Sequence, residues 1–233
     1  MMLLVAIATY NEIENLPSLV AAIRKQLPNA DVIVVDDNSP DGTGRWCDEE
    51  AARSPWFTVI HRPGKLGLGS ASWTAMQAAI KRGYEWLITL DADWSHPPEA
   101  LPRLLAAATD ADVVIGSRYC AGGEIHGWPL SRRIVSKIMN AATRLALGVR
   151  VRDSSGACRL YRVAKLSELD FGELRATGYA YLEEILWQLQ RRGARFAEVP
   201  ITFTDRRAGA SKAGVSEALG KAKILLELVC HRS

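Results

Sequence analysis

The stretch Leu87–Glu99, LITLDADWSHPPE, carries an apolar run into two aspartates one residue apart. Side chains alternate along an extended segment, so Asp91 and Asp93 point one way and Ala92 the other. Two carboxylates held close together repel unless a proton or a cation intervenes. A hard divalent cation, Mg2+ or Mn2+, takes oxygen ligands and commonly uses one or two carboxylates plus substrate phosphates. A DxD triplet alone is a weak signal, since exposed loops produce it often. Here it follows a buried strand and precedes a helix start at Pro97-Pro98, which points to a cation and a nucleotide diphosphate.

Val32–Thr43, VIVVDDNSPDGT, repeats the arrangement earlier in the chain. Asn38-Ser39-Pro40-Asp41-Gly42 is turn chemistry, and Asp41 is placed to cap the next helix. The turn does not explain two acids before it. Asp36 or Asp37 is expected to accept hydrogen bonds from a base or ribose.

Working outward, strand-like runs occur at Leu3–Ala8, Val32–Val35, Phe57–Ile60, Trp86–Leu90 and Val113–Ile115. Helical patterns lie between them at Ile13–Leu27, Gly42–Arg53, Leu68–Arg82 and Pro98–Ala108. Repeated β-α-β units of this length predict an α/β fold, a Rossmann-like, mostly parallel sheet with helices on both faces. Ligands of such sheets sit at the carboxyl ends of the strands, where Tyr10–Glu12, Asp36–Asp37 and Asp91–Asp93 all fall. Beyond Arg118 a Gly-rich stretch, YCAGGEIHGWPLSRR, reads as loop. An amphipathic helix is expected over Arg132–Leu147, a short strand in DSSGACRLYR and a helix over Tyr181–Arg192. A last strand, FAEVPITF, and a helix over Val215–Cys230 complete the pattern. No repeat or linker divides residues 1–233, which read as one domain.

The 233 residues carry a net charge of +3 that conceals an asymmetry. Met1–Gly116 hold 9 Lys and Arg against 15 Asp and Glu, and Ser117–Ser233 hold 20 against 11. Solvated faces produce such imbalance by chance. The sharper reading is a nucleotide- and metal-binding half, 1–116, joined to an acceptor-binding half, 117–233, that handles phosphate or an anionic surface.

Cys47, Cys120, Cys158 and Cys230 form no CxxC pair and no His cluster accompanies them, so free thiols in a reducing compartment are expected. No apolar run approaches the length of a bilayer span. The start, MMLLVAIATYNE, reads as a buried strand rather than a secretion signal. A cytoplasmic protein, or one on a cytoplasmic membrane face, follows, with no nucleic-acid partner. A Rossmann dehydrogenase would need GxGxxG after the first strand, where this chain has TYNE. Gly64–Gly69, GKLGLG, is not a P-loop, and nothing matches the phosphorylated site of a signalling receiver domain.

TYNEIENL, VVDDNSPDGT, KLGLGSA, DADWSHPPE, GSRY, GWPLSRR, RLYR and EVPITFTDRRAGASK occur in that order between Thr9 and Lys212. Together they resemble the family 2 glycosyltransferases of GT-A fold, and within them the dolichyl or polyprenyl phosphate mannose synthases. The resemblance implies GDP-mannose as donor and a dolichyl or polyprenyl monophosphate as acceptor. The product would be a β-mannosyl phosphate made with inversion.

By the same resemblance Ala8, Tyr10, Glu12, Asp36, Asp37, Lys65 and Ala92 belong to the nucleotide-sugar pocket. Asp91 and Asp93 bind the metal and the diphosphate. Arg118, Arg132 and Ser136 hold the acceptor phosphate. Arg206, Ser211 and Lys212 close over the diphosphate as a lid, and Asp153 and Glu184 lie on the sugar side. Ala8 stands where the family usually has Pro, and Ser95 where many relatives have a metal-ligating Gln.

Without the resemblance Arg118 fits an ordinary ion pair, Arg132 and Arg133 a solvated helix start, and Glu184 a solvent-facing position. A UDP-glucose-dependent enzyme of the same fold is the nearest alternative, and a non-catalytic nucleotide-sugar binder a more distant one. Trp128 and the basic helix after it suit peripheral membrane binding. Ile134, Ile138 and Leu145 equally suit packing on the core. Some relatives use a small membrane subunit instead.

Overall fold

A computed structural model describes residues 2–176 and 178–205. Its strands are β1 (Leu3–Thr9), β2 (Asp31–Asp36), β3 (Phe57–His61), β4 (Trp86–Asp91), β5 (Val113–Ser117), β6 (Glu124–His126), β7 (Arg159–Arg162), β8 (Phe196–Pro200) and β9 (Thr202–Thr204). Its helices are α1 (Leu16–Gln26), α2 (Thr43–Arg53), α3 (Leu68–Lys81), α4 (Leu101–Ala106), α5 (Leu130–Leu147), α6 (Val163–Leu166) and α7 (Tyr181–Arg191).

Alternation along the strands builds two cores. In β1, Leu4 and Ala6 join α3 and α7 on one face, while Leu3, Val5 and Ile7 join α1 and α4 on the other. Ile33 and Val35 of β2 repeat the first set and Val32 and Val34 the second. A sheet buried on both faces therefore reads as a continuous apolar run.

The seven-stranded order is β3-β2-β1-β4-β7-β5-β8. β1, β2, β3 and β4 pair in parallel, as do β5 and β8, and β7 is antiparallel to both neighbours. The order reverses at β1, with β2 on one side and β4 on the other, which makes the crevice beyond it the expected ligand position. Register fixes what stands there. Ala8 pairs with Asp91 and Thr9 with Asp36, so the two acidic strand ends flank the end of β1.

Several expected boundaries move. Pro98–Ala108 is not one helix but a 3-10 turn, the short α4, and a second 3-10 turn. Pro98 and Pro102 bring no amide hydrogen to the ladder. FAEVPITF breaks at Ile201, and β9 leaves the main sheet to pair with β6, a segment expected as loop. The helix expected from Arg132 begins at Leu130, just after Pro129. The helix expected at Val215–Cys230 lies outside the described residues.

Helix α5 is turned inside out. Its buried residues are Asn140, Thr143 and Leu147. Leu130, Ile134, Val135, Ile138 and Leu145 stand 49–79% exposed. Packing of Ile134, Ile138 and Leu145 on the core, one of two expectations, is thereby overturned. Those three share a face at helical spacing, and the polar residues that dock the helix share the opposite one. No helix among the described residues is long and apolar enough to cross a membrane.

Candidate active site

Three strands end at the crevice, and the chain leaves each through a left-handed residue. Asn11, Asn38 and Trp94 have φ of 61°, 58° and 63°. Asn adopts this conformation readily; a bulky Trp does so only when its surroundings hold it. Trp94 donates its indole N–H to Ser18 of α1 at 3.2 Å. The turn after β2 is tied to the segment between β1 and α1 by Asp41, which accepts from the Ile13 and Thr43 amides. The N-cap of α2 is Gly42, so Asp41, expected to cap that helix, instead fastens the turn ahead of it.

A cavity of about 660 Å³ opens over these strand ends. On the β1–β4 side Ala8, Tyr10, Glu12, Asp37, Lys65, Asp91, Ala92 and Asp93 line it. Lys65 places its ammonium 5.0 Å from the centre of the Tyr10 ring. Arg118, Arg132 and Ser136 line the other side. One space therefore receives both acidic strand ends and both arginines.

Asp36 and Asp37 separate. Asp36 is buried and accepts hydrogen bonds from the Thr9 and Ser39 hydroxyls and the Ser39 amide. It is absent from the described lining and serves the turn. Asp37 lines the cavity and is held by Arg62, whose Nε and Nη2 reach its two oxygens at 2.5 and 2.7 Å.

Asp91 keeps its side chain about a third exposed, while Asp93 accepts the Ser95 amide at 3.1 Å. His96 is buried beside them, its Nδ1 3.8 Å from Asp91. Burial pushes the imidazole down to about 4 against the opposing pull of Asp93, so it is neutral near pH 7. Among the described residues no three His, Cys, Asp or Glu gather as a closed metal site. Two carboxylates on an open wall suit a hard cation that completes its oxygen shell from substrate phosphate and water.

The arginines are held in place. Arg118 donates Nε and Nη2 to the two oxygens of Asp153, both at 2.7 Å, and its own amide to Asp153 at 2.9 Å. Desolvation alone would destabilise both charges. The pairing outweighs it, holding Asp153 below the ordinary carboxylate range and Arg118 above its usual value. The rings of Tyr119, Trp128 and Phe203 surround the Arg118 guanidinium at 5.3–5.5 Å. Trp128 also lies 4.0 Å from the Arg132 guanidinium, and Asp205 accepts from Arg132 at 3.3 Å. Tyr119 donates its hydroxyl to Ser136 at 2.7 Å.

Two expectations on the sugar side need revision. Asp153 is fully buried behind Arg118, and Glu184 is buried at α7, where it accepts the Arg175 and Ala176 amides. Neither is among the described lining residues. Glu184 is also not solvent-facing. Arg206, Ser211 and Lys212, with the lid expected there, lie outside the described residues. His96, Trp128, Ser155, Phe203 and Asp205 line the cavity without having been expected there. The aromatic residues carry no charge pattern by which a sequence would mark them.

Residues 4–170 match the family described as glycosyl transferase family 2. The chain belongs to that family. An undecaprenyl-phosphate mannosyltransferase of Micrococcus luteus is 44% identical over 91% of this chain and 87% of its own. A polyprenol monophosphomannose synthase of Mycolicibacterium smegmatis is 42% identical over 94% and 84%. Among solved structures, glucosyl-3-phosphoglycerate synthase of Mycobacterium tuberculosis, in complex with Mn2+, UDP and glucosyl-3-phosphoglycerate, superposes with a TM-score of 0.70. It covers 99% of this chain and 79% of its own at 19% identity. A mannosyltransferase of Pyrobaculum calidifontis in complex with GDP-Man and Mn2+ gives a TM-score of 0.61 at 16% identity, over 97% and 62%. The glycosyltransferase therefore has the GT-A fold, an α/β sheet with helices on both faces.

Proposed function

We propose that this family 2 enzyme transfers mannose from GDP-mannose to a polyprenyl monophosphate, with inversion, giving a polyprenyl β-mannosyl phosphate. Mannose transfer to polyprenyl phosphate follows from the relatives that match most of the chain. The observation that carries the donor and acceptor geometry is the single cavity that Asp91, Asp93, Arg118 and Arg132 share.

The chemistry is a problem of like charge. Donor and acceptor both bring phosphate, and the attacking phosphate oxygen is already anionic, so it needs positioning more than a strong base. Arg118 and Arg132 offer forked donors to the acceptor phosphate, with Ser136 beside them. Tyr10, Lys65 and Asp37 form the wall where the nucleotide sits. Asp91 and Asp93 would hold Mg2+ or Mn2+, whose charge would offset that of the leaving diphosphate. The buried ring of Trp128 stands against both guanidinium groups, at 5.5 Å from that of Arg118 and 4.0 Å from that of Arg132.

The acceptor's tail lives in a bilayer. The outward apolar side of α5, flanked by Arg133, Lys137 and Arg144, supports peripheral docking on a membrane at its cytoplasmic face. Because the helix carries its own apolar face outward, direct docking is preferred here over recruitment by a small membrane subunit.

The test is transfer from radiolabelled GDP-mannose and UDP-glucose to a short polyprenyl phosphate, with and without Mg2+ or Mn2+. Metal-dependent mannose transfer and a β-linked product are expected. Glucose transfer alone would replace the donor assignment, and binding without turnover would replace the catalytic one.

A further inference from the structure

Asn140 is buried at the centre of the contact between α5 and the loop 153–156, and its carboxamide is fully engaged. Oδ1 accepts from the Ser154 amide at 2.7 Å, the Ser154 hydroxyl at 2.9 Å and the Ser155 amide at 3.2 Å. Nδ2 donates to the Ser136 carbonyl at 2.8 Å and to the Ser155 hydroxyl at 3.0 Å. The Ser155 oxygen in turn accepts from Arg118 Nη2 at 2.8 Å. The same loop supplies Asp153, which grips Arg118 at three points.

Arg132, Ser136 and Asn140 follow one another at four-residue spacing and share one side of α5. The other buried residues of the helix, Thr143 and Leu147, lie further along, towards its C-terminal end. The half of α5 that carries Arg132 and Ser136 is tied down by Asn140, by the Tyr119–Ser136 hydrogen bond and by the Arg132–Asp205 pair. Of these, Asn140 alone bonds the loop that holds Arg118.

We infer that Asn140 is a positioning residue for the acceptor phosphate, setting the distance between Arg118 on the β5 side and Arg132 and Ser136 on α5. The inference deepens the proposed acceptor site and rests on it. Asn140 touches neither phosphate nor sugar. It acts by making one amide side chain the common partner of helix and loop. A hydrophobic residue would leave the Ser154 and Ser155 amides without the side-chain oxygen that accepts from them.

The experiment is steady-state kinetics of Asn140→Ala and Asn140→Gln in the full chain, with GDP-mannose and a short polyprenyl phosphate each varied in turn. Asn140→Ala is expected to raise KM for polyprenyl phosphate at least ~10-fold while KM for GDP-mannose moves less than about twofold, because small misplacements of binding groups are costly. Asn140→Gln keeps a carboxamide able to accept from the serine amides and to donate to the Ser136 carbonyl, one methylene further out, so it should recover part of that loss. It carries the test if the alanine variant does not melt cooperatively. A general structural defect would move both KM values, or GDP affinity measured by calorimetry, and would overturn the inference; so would two unchanged KM values. Arg118→Ala run in parallel separates the causes. If it leaves the acceptor KM unchanged, the acceptor site is wrongly placed and the inference falls with it. If it raises that KM and the Asn140 variants do not, only the inference falls.

Discussion

The two walls of the cavity are rigid for different reasons. On the proposed donor wall, sheet register places the acids: Asp91 stands beside Ala8, and Asp37 follows directly on Asp36, which stands beside Thr9. On the proposed acceptor wall, no strand pairing among the described residues joins Arg118 directly to Arg132. Each is instead held by a carboxylate from elsewhere in the chain, Asp153 and Asp205, and Trp128 stands against both. Backbone pairing places a side chain as a by-product of folding. A side-chain network has to be assembled residue by residue, and one substitution can loosen it.

The largest expected effect comes from the donor wall. Asp91→Ala should lower the transfer rate by about 10³-fold, equivalent to about 4 kcal/mol of transition-state stabilisation. The sheet should persist, since Asp91 is partly exposed at the last position of β4. Initial rates with Mn2+ beside a far-UV circular dichroism spectrum check this. Full activity in the variant would remove the carboxylate pair from the mechanism.

The acceptor wall allows a sharper contrast. Arg118→Ala strands Asp153 in a site with no access to water, and breaking such a buried pair costs about 3–5 kcal/mol. Arg132 and Asp205 are each about a third exposed, and solvent screening limits their pair to under about 1 kcal/mol. Both variants should raise KM for the acceptor, but only Arg118→Ala should lower stability markedly in urea titrations. Equal stability losses would mean that the two arginines are not held in different ways.

This contrast also explains what could be read in advance. The alternating apolar runs and the acids at their ends sufficed for a mostly parallel sheet with a ligand crevice, because period and strand-end position are local properties. Asp36 and Asp37 are adjacent and chemically identical, and their partners separate them, Thr9 and Ser39 for the first and Arg62, just after β3, for the second. Asp153 and Glu184 were assigned to the sugar, yet each serves a local backbone or an arginine. Their partners are fixed by how distant segments meet. Helix α5 was ambiguous for a related reason. Periodicity reveals that a helix has an apolar side but not which way that side faces.

Acid should act on the acceptor wall through Asp153. Desolvation would raise its folded value, but the charge and hydrogen bonds of Arg118 more than offset this and leave it depressed, so the unfolded chain takes up a proton first as pH falls. The stabilisation from the pair is then complete above the unfolded value, near pH ~4, and is lost as pH drops below it through the depressed folded value. Urea unfolding at pH ~5 and pH ~3, on either side of that value, checks the sign. Asp41, Glu50 and Asp112 are also depressed and add to the slope. The share due to Asp153 is the part of the acid loss that Asp153→Asn abolishes.

The smallest effect on the fold, and the most informative about how the acceptor arrives, concerns the outward side of α5. Replacing Ile134, Ile138 and Leu145 by Ser removes apolar groups that are 49%, 60% and 79% exposed. Stability should change by no more than about 0.5 kcal/mol per site, as for other surface substitutions. Binding to a lipid surface scales with the apolar area that enters it and with attraction of basic residues to anionic headgroups. Co-sedimentation with anionic liposomes should therefore fall while activity on a short, water-soluble polyprenyl phosphate stays near that of the unsubstituted enzyme. Loss of both together would place these residues in the acceptor site. Loss of neither would mean that α5 does not meet the bilayer, and that the inverted helix serves another contact.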